Sequence, residues 1–185
     1  MTTAELPMVD QKISELLARV EALEKSAGND RLAIGVMQGD LDSTMAAFII
    51  ALGAVAYDIQ VDMFFTFWAI AALRDHTKKV HKGFMDRMFG WMLPRDSRKL
   101  PLSKMQMAGI GPKMIRGVMK SRGVKPLEEL MKDAGELGVR IHVCEMSMGV
   151  MGFKAEEMIA YPGLDYVGVG TFIQLISESK QVIFL

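Results

Sequence analysis

From Leu6 the apolar positions run Leu6, Val9, Ile13, Leu16, Val20 and Leu23, alternately three and four apart, with Glu and Lys among the residues between them. That spacing draws one stripe down a helix and predicts a heptad seam of about two to three repeats, opening after Pro7 in the first turn and closing at Ala27-Gly28-Asn29. The same pattern serves a helix that packs on its own domain and one that self-associates.

Beyond Asn29 the period changes. The runs Leu32 to Met37 (LAIGVM), Ile59 to Thr66 (IQVDMFFT), Val139 to Val143, Leu164 to Val169 and Gln181 to Leu185 are short, apolar and bounded by Gly, Asp or Pro, as buried strands are. Between the first two, Asp42 or Ser43 is expected to cap a helix carrying Met45 to Tyr57, whose Ala46, Ala47, Ala51, Gly53, Ala54 and Ala56 let it lie close to a sheet. Pro112 and Pro126 each open a further helix, closed by Gly123 and Gly138. Short helices are expected over Lys154 to Ala160 and Thr171 to Ser179. Strands alternating with helices imply parallel pairing and right-handed crossovers. The expected fold is therefore a three-layer α/β/α domain with about five mostly parallel strands, residues 30–185, behind an N-terminal helix, residues 1–29.

Two stretches interrupt the pattern. Thr44 to Leu73 is very apolar, but Asp58, Gln60 and Asp62 cut it into pieces of about a dozen residues, short of the ~20 that cross a bilayer. Arg74 to Lys104 carries nine Lys or Arg against three Asp, with Phe84, Met85, Met88, Phe89, Trp91, Met92 and Leu93 among them. This basic, Met- and aromatic-rich insertion, residues 74–110, reads as a lid whose apolar face covers a cleft. The same mix suits a helix in a partner's groove or on a membrane surface.

Composition narrows the function classes. The 22 basic and 22 acidic residues cancel, so nothing global draws nucleic acid. One cysteine, Cys144, cannot close an intramolecular disulfide, and the N-terminus lacks a secretory pattern. A cytoplasmic protein is expected.

Cys144 ends the strand run Val139 to Val143 and opens a glycine-containing segment, CEMSMGVMG, expected as the exit loop. That places the one strongly nucleophilic side chain at the carboxyl end of a strand, where open α/β sheets bind ligands. Backbone N–H groups of the turn and a helix starting around Ser147 would favour the thiolate, whereas Glu145 would oppose it. Glu145, Met146, Ser147, Met148 and Gly149 are candidate pocket residues, together with Asp40 and Trp68 after the first two strands. An inert buried thiol is the alternative. Cys144 with Met146, Met148 and Met151 has the softness for Cu(I), but methionine packing is the commoner explanation, and no metal or cofactor is expected. His142 shares a strand face with Cys144 and reads as a core histidine rather than a base. Gly168-Val169-Gly170 and Gly109-Ile110-Gly111-Pro112-Lys113 complete neither a dinucleotide fingerprint nor a P-loop.

The segments GDLDSTMAAFIIALGAVA, VDMFFTFWAI, LPLSKMQMAGIGPKM, CEMSMGVMG and the closing VIFL give the chain from Arg31 to Leu185 a resemblance to the methionine-rich branch of the DsrE/DsrF-like sulfur-relay proteins. CxMSMxxMG is the sharpest of these motifs. The chain departs from that branch at Glu145, where glutamine is usual, and near Ala69, where glycine is. The resemblance implies a DsrEFH-like doubly wound sheet and homo-oligomers, often trimers or hexamers; the N-terminal helix lies outside the resemblance, and its seam offers an extra contact. It also implies persulfide sulfur carried at Cys144 between donor and acceptor proteins. Some members bear the label peroxiredoxin-like. The expectation is a sulfur carrier or sulfurtransferase subunit. The alternatives are a non-catalytic adaptor that meets a partner or a membrane surface, and a thiol peroxidase.

Overall fold

The computed structural model describes residues 6–26, 29–78 and 80–185. A helix α1 (Leu6–Ser26) precedes β1 (Asn29–Val36), α2 (Leu41–Val55) and β2 (Gln60–Phe65). After a 3-10 turn at Phe67–Leu73 come α3 (Phe84–Met92), α4 (Ile110–Ser121) and α5 (Leu127–Glu136). The chain closes with β3 (Arg140–Cys144), α6 (Glu145–Met151), β4 (Leu164–Val167), α7 (Val169–Glu178) and β5 (Ser179–Phe184). The five strands form one sheet in the order β4-β3-β2-β1-β5, every pair parallel, with helices on both sides. Ala27 and Gly28, where the seam helix was expected to stop, lie outside the described residues.

The strand period of two divides the sheet's side chains into two populations. One face carries Leu32, Ile34 and Val36 beside Val61, Met63 and Phe65, then Ile141 and Val143. It is closed by Phe48 and Ala51 of α2 and by Leu127 and Ala134 of α5, all in the main core. The small residues Ala47 and Ala51 let α2 approach this face, as the sequence predicts. The helix is capped by Asp40, whose Oδ1 accepts from Ser43 N–H at 2.8 Å, and not by Asp42 or Ser43 as expected. The carboxylate of Asp42 instead accepts Ser103 N–H at 2.9 Å, which ties the insertion to α2. The expected helix over Lys154 to Ala160 shrinks to a 3-10 turn, Ala155–Glu157. There the Glu157 carboxylate accepts Lys154 N–H at 2.7 Å and pairs with Arg74 at 3.2 Å, and the chain leaves extended through an Arg74–Met158 bridge.

The opposite face is built differently along its length. Ala33, Phe64 and Cys144 form a small apolar cluster under Phe172 of α7, with Phe64 and Phe172 stacked at 4.3 Å. Toward the strands' amino ends the same face is ionic, around the fully buried carboxylate of Asp62. Its Oδ1 takes Nε2 of His142 at 2.9 Å and Nε of Arg140 at 2.8 Å, and its Oδ2 lies 3.3 Å from Nε of Arg31. Nδ1 of His142 meets Asp165 at 2.6 Å, and Arg31 reaches Glu178 at the end of α7 at 2.8 Å. Burial pushes the Asp62 carboxyl up, but the bonds from His142 and Arg140 outweigh it and hold the group below its ordinary value. Burial pulls His142 down, yet the bond to Asp62 and the charges of Asp165 and Asp62 hold it above its ordinary value. With His142 protonated, three cations face three carboxylates.

Asp62→Asn leaves Arg31, Arg140 and His142 facing one another, and we expect a loss of about 3 kcal/mol, the low end for removing one partner of a buried pair, because the Arg140 side chain is 42% exposed and can rehydrate. The raised value of His142 makes its contribution complete below pH 6.5 and lost as pH rises through that folded-state value. Urea unfolding across pH should show this downward slope in the wild type and a smaller one in Asp62→Asn.

Candidate functional site

Cys144 is the last residue of β3 and sits directly before α6. The segment expected as a loop is therefore helical from Glu145 to Met151, and this helix decides which neighbours the sulfur meets. Ser147, fully buried in the first turn of α6, shares a hydroxyl–hydroxyl hydrogen bond with Thr66 at the exit of β2, the two oxygens 2.7 Å apart. Burial pushes the Cys144 thiol up. The Ser147 hydroxyl and N–H, the Thr66 hydroxyl and the Met146 N–H together outweigh that, and the thiol lies below its ordinary value of 9.0. The site is thus a thiolate cradle made by two adjacent strand ends.

The chain turns sharply to make it. Phe67, next to Thr66, has φ 47°, a left-handed conformation that costs a bulky residue on the order of 1–3 kcal/mol. It swings the backbone out of β2 into the 3-10 turn, while Thr66 N–H stays bonded to Val36 O at 3.0 Å.

The sulfur stands at the rim of the sheet but is covered: Cys144 is 2% exposed. It is buried in the cluster it forms with Ala33, Phe64 and Phe172, against which Val167 and Ile176 pack. Phe172 can lie over this face because position 35 on β1 is glycine. A Cβ there would stand 3.1 Å from the Phe172 ring and 2.6 Å from that of Phe184.

The candidate pocket residues separate into three groups. Ser147 reaches the thiol. Met148 turns away into the main core and is buried there, with Met151 beside it, while Met146 faces solvent, so the methionines do not converge on the sulfur. Glu145 and Gly149 are exposed. Asp40 is occupied as the cap of α2, and Trp68 is exposed, with its backbone carbonyl against Gly39. Thr66 was not singled out from sequence. Its signal was available, since it lies two residues beyond Phe64 and so shares that residue's face. His142 has both ring nitrogens bonded to carboxylates, which leaves neither free to take a proton from Cys144.

The insertion does not form a lid over Cys144. Phe84, Met85, Met88, Trp91 and Met92 make one stripe of α3 that faces solvent, because the helix packs by its other side, through Asp86 against Gly152 at the far end of α6. Phe172 of α7 provides the cover instead. A cavity of about 720 Å³ lies beside α3 among Arg74, His76, Lys78, Lys82 and Trp91. Its buried cations are already engaged. Arg74 holds Glu157 and the Pro94 carbonyl at 2.8 Å, and Lys82 holds Glu157 and the Gly152 carbonyl at 2.7 Å.

The model of the DsrE/DsrF/DrsH-like family matches residues 28–184, and the chain belongs to that family. It is 43% identical over 156 residues to the uncharacterized protein YrkE of Bacillus subtilis (strain 168), a match covering 84% of this chain and 96% of that one. It is 28% identical over 159 residues to the sulfur carrier protein DsrE2 of Allochromatium vinosum, covering 84% of this chain and 98% of the relative.

Ser147→Ala removes one of the hydroxyls that favour the charged sulfur, so the thiol's titration should move upward. The ultraviolet absorbance of the thiolate, taken as a difference against Cys144→Ser, should show a midpoint below 9.0 in the wild type and a higher one in Ser147→Ala. A wild-type midpoint at or above 9.0 would mean that burial prevails.

Proposed function

We propose that this member of the DsrE/DsrF/DrsH-like family works in sulfur relay by holding sulfane sulfur on Cys144 as a persulfide. The observation that carries the reading is the cradle: a single cysteine whose thiolate is favoured by Ser147, Thr66 and the N–H groups that open α6. The similarity to a sulfur carrier protein supports it.

Transfer needs one sulfur and no net redox change. The Cys144 thiolate attacks the outer sulfur of a donor persulfide, a new S–S bond forms on Cys144, the donor's S–S bond breaks, and the donor leaves as a thiolate. An acceptor thiolate then attacks the outer sulfur now on Cys144 and releases Cys144 as the thiolate. A depressed thiol value suits both halves, because Cys144 is nucleophile in the first and leaving group in the second. Phe172 must swing aside at each half, which makes α7 the gate. The donor and the acceptor are proteins, the chain acts as a homo-oligomer, a trimer or hexamer, and the lone cysteine suits the reducing cytoplasm.

The solvent-facing stripe of α3 favours a second reading, an adaptor that lies on an anionic membrane surface. Phe84 is 83% and Trp91 74% exposed, and the exposed Arg87 and Arg95 lie nearby. No helix among the described residues is long and apolar enough to cross a membrane, so such contact would be peripheral.

Incubation with a small-molecule persulfide should add the mass of one sulfur atom to the intact chain, and Cys144→Ser should add nothing. Equal gain by the serine variant, or none by the wild type, defeats the carrier reading. Co-sedimentation with anionic vesicles tests the adaptor: binding lost on Trp91→Ala with Phe84→Ala, together with a wild-type Cys144 that takes up no sulfur, would favour it instead.

A further inference from the structure

We infer that α1 pairs with α1 of a second copy of this chain as a parallel, in-register two-stranded coiled coil. The helix lies wholly outside the residues matched by the family, so the shared fold does not account for it. Its stripe is uncovered: Val9, Ile13, Leu16, Leu17 and Val20 are between 48% and 59% exposed, although five large apolar side chains on one helix face are what folding normally hides. The domain behind it does not supply the missing cover.

The identity of the seam residues selects the occupant. In heptad terms Leu6, Ile13 and Val20 take the a positions and Val9, Leu16 and Leu23 the d positions. β-branched residues at a with leucine at d, as in Ile13, Leu16, Val20 and Leu23, are the combination that favours two parallel strands over three or four. The flanks agree. Lys12 and Arg19 occupy g, and Asp10, Leu17 and Glu24 occupy e. In a parallel pair each g residue faces the partner's e residue five positions on. Arg19 then meets Glu24 in opposite charge, and Lys12 lies along Leu17. An antiparallel pair brings g against g and sets Lys12 beside Arg19, a repulsion made twice. Within one chain Arg19 closes on Glu15 at 2.9 Å, an exposed pair whose loss on re-partnering costs little.

The pairing is independent of Cys144 and of contacts between α/β domains. If those domains form a trimer, pairs of α1 join two trimers into a hexamer.

The test uses the full chain carrying Cys144→Ser, so that each variant holds a single cysteine. Leu16→Cys sits on the seam and should oxidise to a covalent dimer, whereas Ala18→Cys, on the outer face, should not. Light scattering should show the subunit number halved in Ile13→Glu with Val20→Glu, substitutions on an exposed helix that leave the domain intact. Among the crosslinking outcomes three overturn the inference: no covalent dimer from Leu16→Cys, equal crosslinking from Ala18→Cys, or crosslinking only when Ile13→Cys and Leu16→Cys chains are mixed, which marks an antiparallel pair. An unchanged subunit number in the double glutamate variant overturns it as well.

Discussion

The architecture depends on one buried charge. Asp62 lies in the middle of the central strand with no access to water, and its oxygens are shared among Arg31 of β1, Arg140 of β3 and His142. Any one-residue slip between these strands would carry Asp62 to the face of α2 and α5, among aliphatic side chains, at a cost no hydrogen bond there could offset. The carboxylate therefore fixes register as well as pairing. Through Arg31 it also reaches Glu178, and so sets where α7 ends over the sheet.

That anchoring has a bearing on the thiol. Asp62 and Phe64 of β2, and His142 and Cys144 of β3, alternate along the same face, so the ionic layer that positions the strands is the layer next to the one holding sulfur. Both ends of α7 serve this face, since Glu178 answers Arg31 and Phe172 lies over Phe64. Rigid register beneath and a single helix above allow a covered cysteine to be uncovered without disturbing the sheet.

The fold was largely legible in the sequence because all five strands are short apolar runs between turn residues, and because the alanine-rich face of α2 announces close packing. The position of Cys144 at a strand end was legible for the same reason. Its surroundings were not. Whether CEMSMGVMG forms a loop or a helix depends on local contacts, chiefly Ser147 bonding across to Thr66, that no periodicity encodes. The methionines following the cysteine looked like one soft cluster, but a helix turns successive residues about a hundred degrees apart, which sends Met146 outward and Met148 inward. Asp40 drew attention as a rim carboxylate when its chemistry is that of a cap. The insertion's basic and aromatic residues suggested a cover, and the packing of Asp86 against Gly152 directed them elsewhere.

Gly35 gives the fold a consequence out of proportion to its size. It lies on β1, two strands from Cys144 on β3, yet the two aromatic rings above it occupy the space a methyl group would need. How tightly the sulfur is shut in is thereby set by a missing carbon on β1. In this lineage, selection for a readier or a more guarded thiol could act two strands away, by altering the fit of a ring, with no change to the cysteine or to the hydroxyls that face it.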